Sequence, residues 1–211
     1  MLGAMTVSCD CPEPHPARRI VLTGGPGAGK TAILELIRRS FCPHVQVLPE
    51  AAGILFAGGF PRGPAPELLR AVQRAIFYTQ RELEATAVAG RVSVCDRGTV
   101  DGAAYWPGPD DLWTAVGTTR EAQLRRYDAV IHLRTPTTDH GYNQANPLRI
   151  ETASEAAAID ERIFAAWDGH PRRRVVEAMP DFLTKAKRAL ELIREALPPC
   201  CQHLSEPEIG R

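Results

Sequence analysis

The octapeptide Gly24-Gly25-Pro26-Gly27-Ala28-Gly29-Lys30-Thr31 constrains this chain more than any other stretch. It satisfies G-x-x-x-x-G-K-[ST], and its flanks suit the pattern. Ile20-Val21-Leu22 before it reads as a short buried strand, while Ile33, Leu34, Leu36 and Ile37 after it recur at helical spacing. Glycines let the backbone curl until successive N–H groups face one concavity, and the helix behind adds the positive end of its dipole. Such a concavity holds the phosphates of a nucleotide. Gly25, Pro26, Gly27, Ala28, Gly29, Lys30, Thr31 and Ala32 are the expected binding residues. Lys30 would reach the β- and γ-phosphates, and the Thr31 hydroxyl would ligate Mg²⁺. A dinucleotide fingerprint, the other glycine-rich option, fails because its last Gly would fall at Lys30.

The rest of the chain alternates short apolar runs with helical patterns. Strands are expected at Ile20–Leu22, Val45–Leu48, Val92–Cys95, Ala129–Leu133 and Val175–Val176. Helices are expected at Lys30–Ser40, Pro66–Ala89, parts of Pro109–Arg126, Thr152–Trp167 and Asp181–Ala196. This alternation implies an α/β fold, a parallel sheet covered on both faces. At 211 residues the chain reads as one domain over residues 18–198, between flexible tails at 1–17 and 199–211. Polar, turn-rich residues open the stretch 135–174, which carries the expected lid. A lid must cover polyphosphate and exclude water, so arginines suit it: Arg149, Arg162 and the cluster Arg172-Arg173-Arg174.

Charge narrows the partners. With 25 basic and 25 acidic side chains, no global field favours nucleic acid or anionic lipid. No apolar run approaches the roughly 20 residues that span a bilayer, and no signal-peptide segment opens the chain, so a cytoplasmic protein is expected. Of six cysteines, Cys95 ends an apolar run and reads as a small core residue. Cys9-Asp-Cys11 and Cys200-Cys201 lie in opposite tails, and no C-x-x-C spacing supports a shared metal site. Reduced thiols are the expectation.

Two further strand ends point at chemistry. Val92-Ser93-Val94-Cys95-Asp96-Arg97 is an apolar strand closed by an acid and a base. Ligands bind beyond the carboxyl ends of parallel strands, so both should face the crevice that holds Lys30. Asp96 would hold Mg²⁺ with Thr31, and Arg97 would clamp phosphate or offset charge developing in transfer. Thr99 and Asp101 are weaker candidates for the same crevice. Val45-Gln46-Val47-Leu48-Pro49-Glu50 ends likewise, and Glu50 would take a proton from an attacking hydroxyl or bind one. A capping acid at the helix start is the plainer reading of Glu50. The glycines and Phe60 of Gly53–Arg62 suggest a flap over the acceptor. Gln80 offers the donor and acceptor that base recognition needs, though a solvent-facing glutamine is the commoner case.

The segments "RIVLTGGPGAGKT", "VLPEAAGILFAGGFPR", "QRAIFYTQRELE", "CDRGTVDGAAYWPG", "YDAVIHL" and "NPLRIE" together resemble the AAA-type ATPase family. That family sits beside the nicotinamide-riboside kinase domains and, more distantly, the deoxynucleoside and thymidylate kinases. The resemblance spans roughly residues 18–197. It implies a three-layer P-loop fold of nucleotide-kinase type, with parallel strand order 2-3-1-4-5, helices on both faces and a lid. It also implies ATP and Mg²⁺ as cofactors, with Lys30, Glu50, Asp96, Arg97, Arg149 and Arg162 as catalytic residues. Nucleoside kinases commonly carry Glu-Arg and Pro-Glu-Pro where this chain has Asp96-Arg97 and Pro49-Glu50-Ala51, so the resemblance does not name the acceptor. The expected activity is transfer of the ATP γ-phosphate to a small nucleoside-like acceptor. The alternative is a nucleotide-binding regulatory ATPase or GTPase-like protein without one. Against a Ras-like switch stands the lack of Asn-Lys-x-Asp, and against an AAA+ motor the short chain.

Overall fold

A computed structural model of the protein describes residues 17–136 and 152–202. Five strands form one sheet: β1 (Arg18–Thr23), β2 (Val45–Leu48), β3 (Val92–Asp96), β4 (Ala129–Leu133) and β5 (Arg173–Val176). Their order is β2-β3-β1-β4-β5, and every neighbouring pair is parallel. This is the α/β P-loop arrangement that the resemblance implied. Strands buried on both faces need near-continuous apolar runs, and β4 is buried at all five positions.

Side chains of β1 alternate between two cores, as the two-residue pleat requires. Ile20 and Leu22 enter the core covered by α1 (Lys30–Ser40) and α7 (Phe182–Ala196). Val21 enters the other, with Cys95, Val130, Tyr127, Ile163 and Trp167. That second face is covered by α6 (Ala153–Ala166) and a 3-10 helix at Thr99–Tyr105. Among the described residues the remaining α-helices are α2 (Ala51–Ala57), α3 (Pro66–Ala85), α4 (Leu112–Ala115) and α5 (Arg120–Leu124). Among the described residues no helix is long and apolar enough to cross a membrane.

The register places the strand ends in line. Leu22 pairs with Asp96, Thr23 with His132, Leu48 with Cys95, and Leu133 with Val176. Whatever follows β1, β2, β3 and β4 therefore emerges at one edge of the sheet.

Local departures from expectation have local causes. Helix α2 occupies the first half of the stretch read as a flap. Gly53 is accommodated inside it, and the chain leaves helical geometry at Gly58 and at Gly59, whose φ is 89°. Helix α3 stops at Ala85, with Thr86 closing its last turn through bonds to Glu82 O and Leu83 O. Gln80 is buried against Glu84, its Nε2 donating to Oε1 at 3.0 Å, so it is neither solvent-facing nor placed to read a base. The fold also runs past residue 198: Pro199–Cys201 form a 3-10 helix, and Cys201 is buried in the core.

Candidate active site

The phosphate loop leaves β1 through backbone that only glycine adopts freely. Gly24, Gly27 and Gly29 have φ of 133°, 76° and 96°. A methyl group on Gly24 would lie 2.1 Å from Leu133 O, so the loop also passes too close to β4 for a side chain. Gly29 caps α1 without a side chain, and no acid occupies the first turn. By contrast, Thr152 and Asp181 cap α6 and α7 with their own oxygens. The first amides of α1 are thus left for an anion, which the helix dipole favours.

Lys30 folds across the loop, Nζ donating to Gly24 O at 2.8 Å and Gly25 O at 2.9 Å. Burial lowers its pKa from 10.5 to about 8, assisted by Arg97 and opposed by Asp96, Glu50 and Asp101. Asp96, Arg97 and Glu50 stand at or just beyond strand ends, and Asp101 lies in the 3-10 helix that follows β3.

Asp96 ends β3 within this group. Burial raises its carboxyl from 3.8 to about 6, against the pull of Lys30 and with a further push from Glu50. Its Oδ1 is buried and has no hydrogen-bond partner among the described residues. A buried oxygen without a donor is costly unless a cation or water meets it. Asp96 is not a helix cap. Asp101 has that role, its Oδ2 accepting from Gly98 N at 3.0 Å at the start of the 3-10 helix.

Arg97 has φ of 68°, the single non-glycine residue with positive φ among those described. The turn carries its side chain between two carboxylates. Nε donates to Glu50 Oε1 at 2.7 Å and Nη1 to Asp101 Oδ1 at 3.1 Å. Burial works against its charge, but Tyr105, Asp101, Glu50 and Asp96 outweigh that and raise its pKa further. Asp101 is held in turn by the Thr23 hydroxyl and by Trp167 Nε1 at 3.1 Å. Glu50 precedes α2, yet its side chain makes no cap bond to that helix. It spends Oε1 on Arg97, and its side chain remains about one-third exposed.

A further carboxylate, missed in the sequence, braces the loop from α6. Asp160 Oδ1 accepts from Gly25 N at 2.8 Å and from His132 Nε2 at 2.9 Å, and Oδ2 accepts from Thr135 N at 3.2 Å. Burial opposes its charge, but His132, Gly25 and Arg134 hold its pKa below the ordinary value. Lys185 on α7 does similar work. Its buried Nζ donates to Ala28 O at 2.9 Å and Arg134 O at 2.6 Å, and burial lowers its pKa to about 8. A buried Lys inside an amphipathic helix and an Asp at an inward α6 position were the available signals.

The expected arginines fall in different places. Arg162 Nε donates to Ala104 O at 2.8 Å, tying α6 to the 3-10 helix. Arg149 lies outside the described residues. Arg172–Arg174 sit at the start of β5, the end of the sheet opposite the loop. There Arg173 stacks on Phe164 and pairs with Asp168. Thr31 and Ala32 are exposed on the first turn of α1, beside Lys30.

The family model described as AAA domain matches residues 19–182. The chain belongs to that family. No curated protein matches this AAA-domain chain. Solved structures of similar fold include NadR protein in complex with NR, with a TM-score of 0.65 at 16% identity. That match covers 92% of this chain and 54% of the other. NadR protein in complex with NAD and AMP-PNP matches with a TM-score of 0.59 at 16% identity, over 92% and 52%. The deoxyadenosine kinase from M. mycoides with bound dATP gives 0.56 at 15% identity, over 83% and 98%. The AAA-domain chain thus spans about half the length of the NadR chains and most of the kinase.

Proposed function

We propose that this protein transfers the γ-phosphate of ATP to a hydroxyl of a small nucleoside-like acceptor. The carrying observation is the convergence of Lys30, Asp96, Arg97 and Glu50 at one sheet edge, two carboxylates and two cations around a phosphate loop. The NR, NAD, AMP-PNP and dATP named with the similar folds support a nucleotide donor and a nucleoside-like acceptor.

The residues have separable work. The loop amides and Lys30 bind the donor phosphates. Asp96 and Thr31 fit Mg²⁺, because the buried Asp96 Oδ1 meets no donor among the described residues; the ion would offset charge on the β- and γ-phosphates. Glu50 Oε2 makes no hydrogen bond among the described residues, while Oε1 is fixed by Arg97. It can therefore accept the proton of the acceptor hydroxyl as that oxygen bonds to the γ-phosphorus. The bond from that phosphorus to the bridging oxygen breaks, and ADP leaves with the electron pair. Arg97, fixed by Glu50 and Asp101, places positive charge beside the transferring group.

ADP release with and without nucleosides, NR and small alcohols tests this reading. A true acceptor raises the rate sharply. Lys30→Ala removes turnover and weakens ATP binding. Glu50→Gln lowers acceptor-dependent kcat by about 100-fold or more while leaving ATP affinity near wild type, the scale of losing a general base. Turnover that ignores every acceptor supports the regulatory nucleotide-binding alternative instead, whereas acceptor-dependent turnover that survives Glu50→Gln intact makes Glu50 a structural residue.

A further inference from the structure

Away from the phosphate site, Cys42, His44 and Cys201 bring their ligand atoms within 4.8 Å of one another. Cys42 follows the end of α1, His44 precedes β2, and Cys201 ends the C-terminal 3-10 helix. Cys42 Sγ lies 3.2 Å from His44 Nδ1, and His44 N donates to the same sulfur at 3.5 Å. The backbone sets these positions. Val45 N donates to Cys42 O at 2.8 Å, Val92 N to His44 O at 2.9 Å, and Cys201 N to Pro198 O at 2.8 Å. Both cysteines are buried, 1% and 0% exposed, while His44 is half-buried.

We propose that Cys42, His44 and Cys201 form a binding site for a zinc-class divalent transition metal. Two sulfurs and an imidazole are a soft-to-borderline donor set, suited to zinc and poorly suited to magnesium or calcium. Tetrahedral zinc, with bonds of about 2.3 Å to sulfur and 2.0 Å to nitrogen, spaces neighbouring ligand atoms about 3.5–3.8 Å apart. The present cluster brackets that spacing, so small side-chain rotations bring all three onto one ion. Binding would release the two thiol protons to solvent. The two thiolates then balance the ion's charge, so the unit buried beside the core is neutral. The fourth position takes water, which keeps that balance. An ion held here pins the C-terminal turn to the connection between α1 and β2, behind the helix that carries the phosphate loop.

Cobalt(II) titration of the full-length, reduced, chelator-stripped protein tests the site. One equivalent should give intense visible bands of tetrahedral cobalt and a sulfur-to-cobalt charge-transfer band, both bleached by zinc. Cys42→Ser and Cys201→Ser should abolish the charge-transfer band. They should also weaken zinc binding by more than about 100-fold, the upper end of what losing a supporting group costs. Cys95→Ser, at a buried cysteine in the other core, should keep the bands. Should either serine variant fail to fold, His44→Ala at the half-buried position still reports, by losing the tetrahedral spectrum. No charge-transfer band in the wild type, a band surviving both serine variants, or a Cys42–Cys201 disulfide in place of metal binding would overturn the site.

Discussion

Arg97 holds a left-handed backbone that costs a side-chain-bearing residue about 1–3 kcal/mol. Its two ion pairs explain why the conformation persists. An extended residue there would aim the guanidinium away from Glu50 and Asp101. Asp96 is also placed against stability. Its carboxyl titrates near 6 in the folded protein and near 3.8 when exposed, so between those values the folded state holds the extra proton. Stability therefore falls as pH rises through that window, and the loss is complete above about pH 6. Asp96→Asn should remove this slope and raise stability at pH 7 by about 1–3 kcal/mol, while reducing turnover by at least about 100-fold. Chemical denaturation across pH, paired with kinetics, checks both. A variant that loses stability at pH 7 would show that Asp96 supports the fold rather than the chemistry.

At the scale of elements, α6 and α7 form a frame behind the phosphate loop. Asp160 reaches it from one and Lys185 from the other. The Asp160 carboxylate accepts two hydrogen bonds on Oδ1 and a third on Oδ2, so an amide in its place must face at least one donor with another donor. Asp160→Asn should cost about 1–3 kcal/mol of stability and weaken ATP binding several-fold as the Gly25 amide loses its anchor. Thermal unfolding and calorimetric titration with ATP measure the two effects. Lost stability with unchanged ATP affinity would confine Asp160 to the fold. Helices of this frame were legible from their caps, since Thr152 with Glu155, and Asp181, signal helix starts locally. Helix α2 was not, because Gly53 and the Gly58-Gly59 pair outweighed seven residues whose helix depends on packing against α3.

Across the whole molecule, Trp167 connects core to site. It is 0% exposed, meets Tyr127 edge-on at 5.4 Å, and donates to the Asp101 carboxylate that holds Arg97. Trp167→Ala should lower stability by about 3–5 kcal/mol, shifting the urea midpoint with little change in slope. Turnover should fall as well, because Asp101 loses one of its donors. An active variant of wild-type stability would contradict this packing. What contiguous residues encode was readable directly: the phosphate loop, the apolar strands, and the acids and base at two strand ends. Each depends on neighbours within one turn or one strand, so spacing alone reveals it. Only tertiary structure decided which distant groups meet. Glu50 and Arg97, 47 residues apart, pair because β2 lies beside β3, and Asp160 reaches Gly25 because α6 covers that face. The approach of Cys201 to Cys42 and His44 has the same origin. Contacts closed by strand order and helix packing leave no periodic trace along the chain.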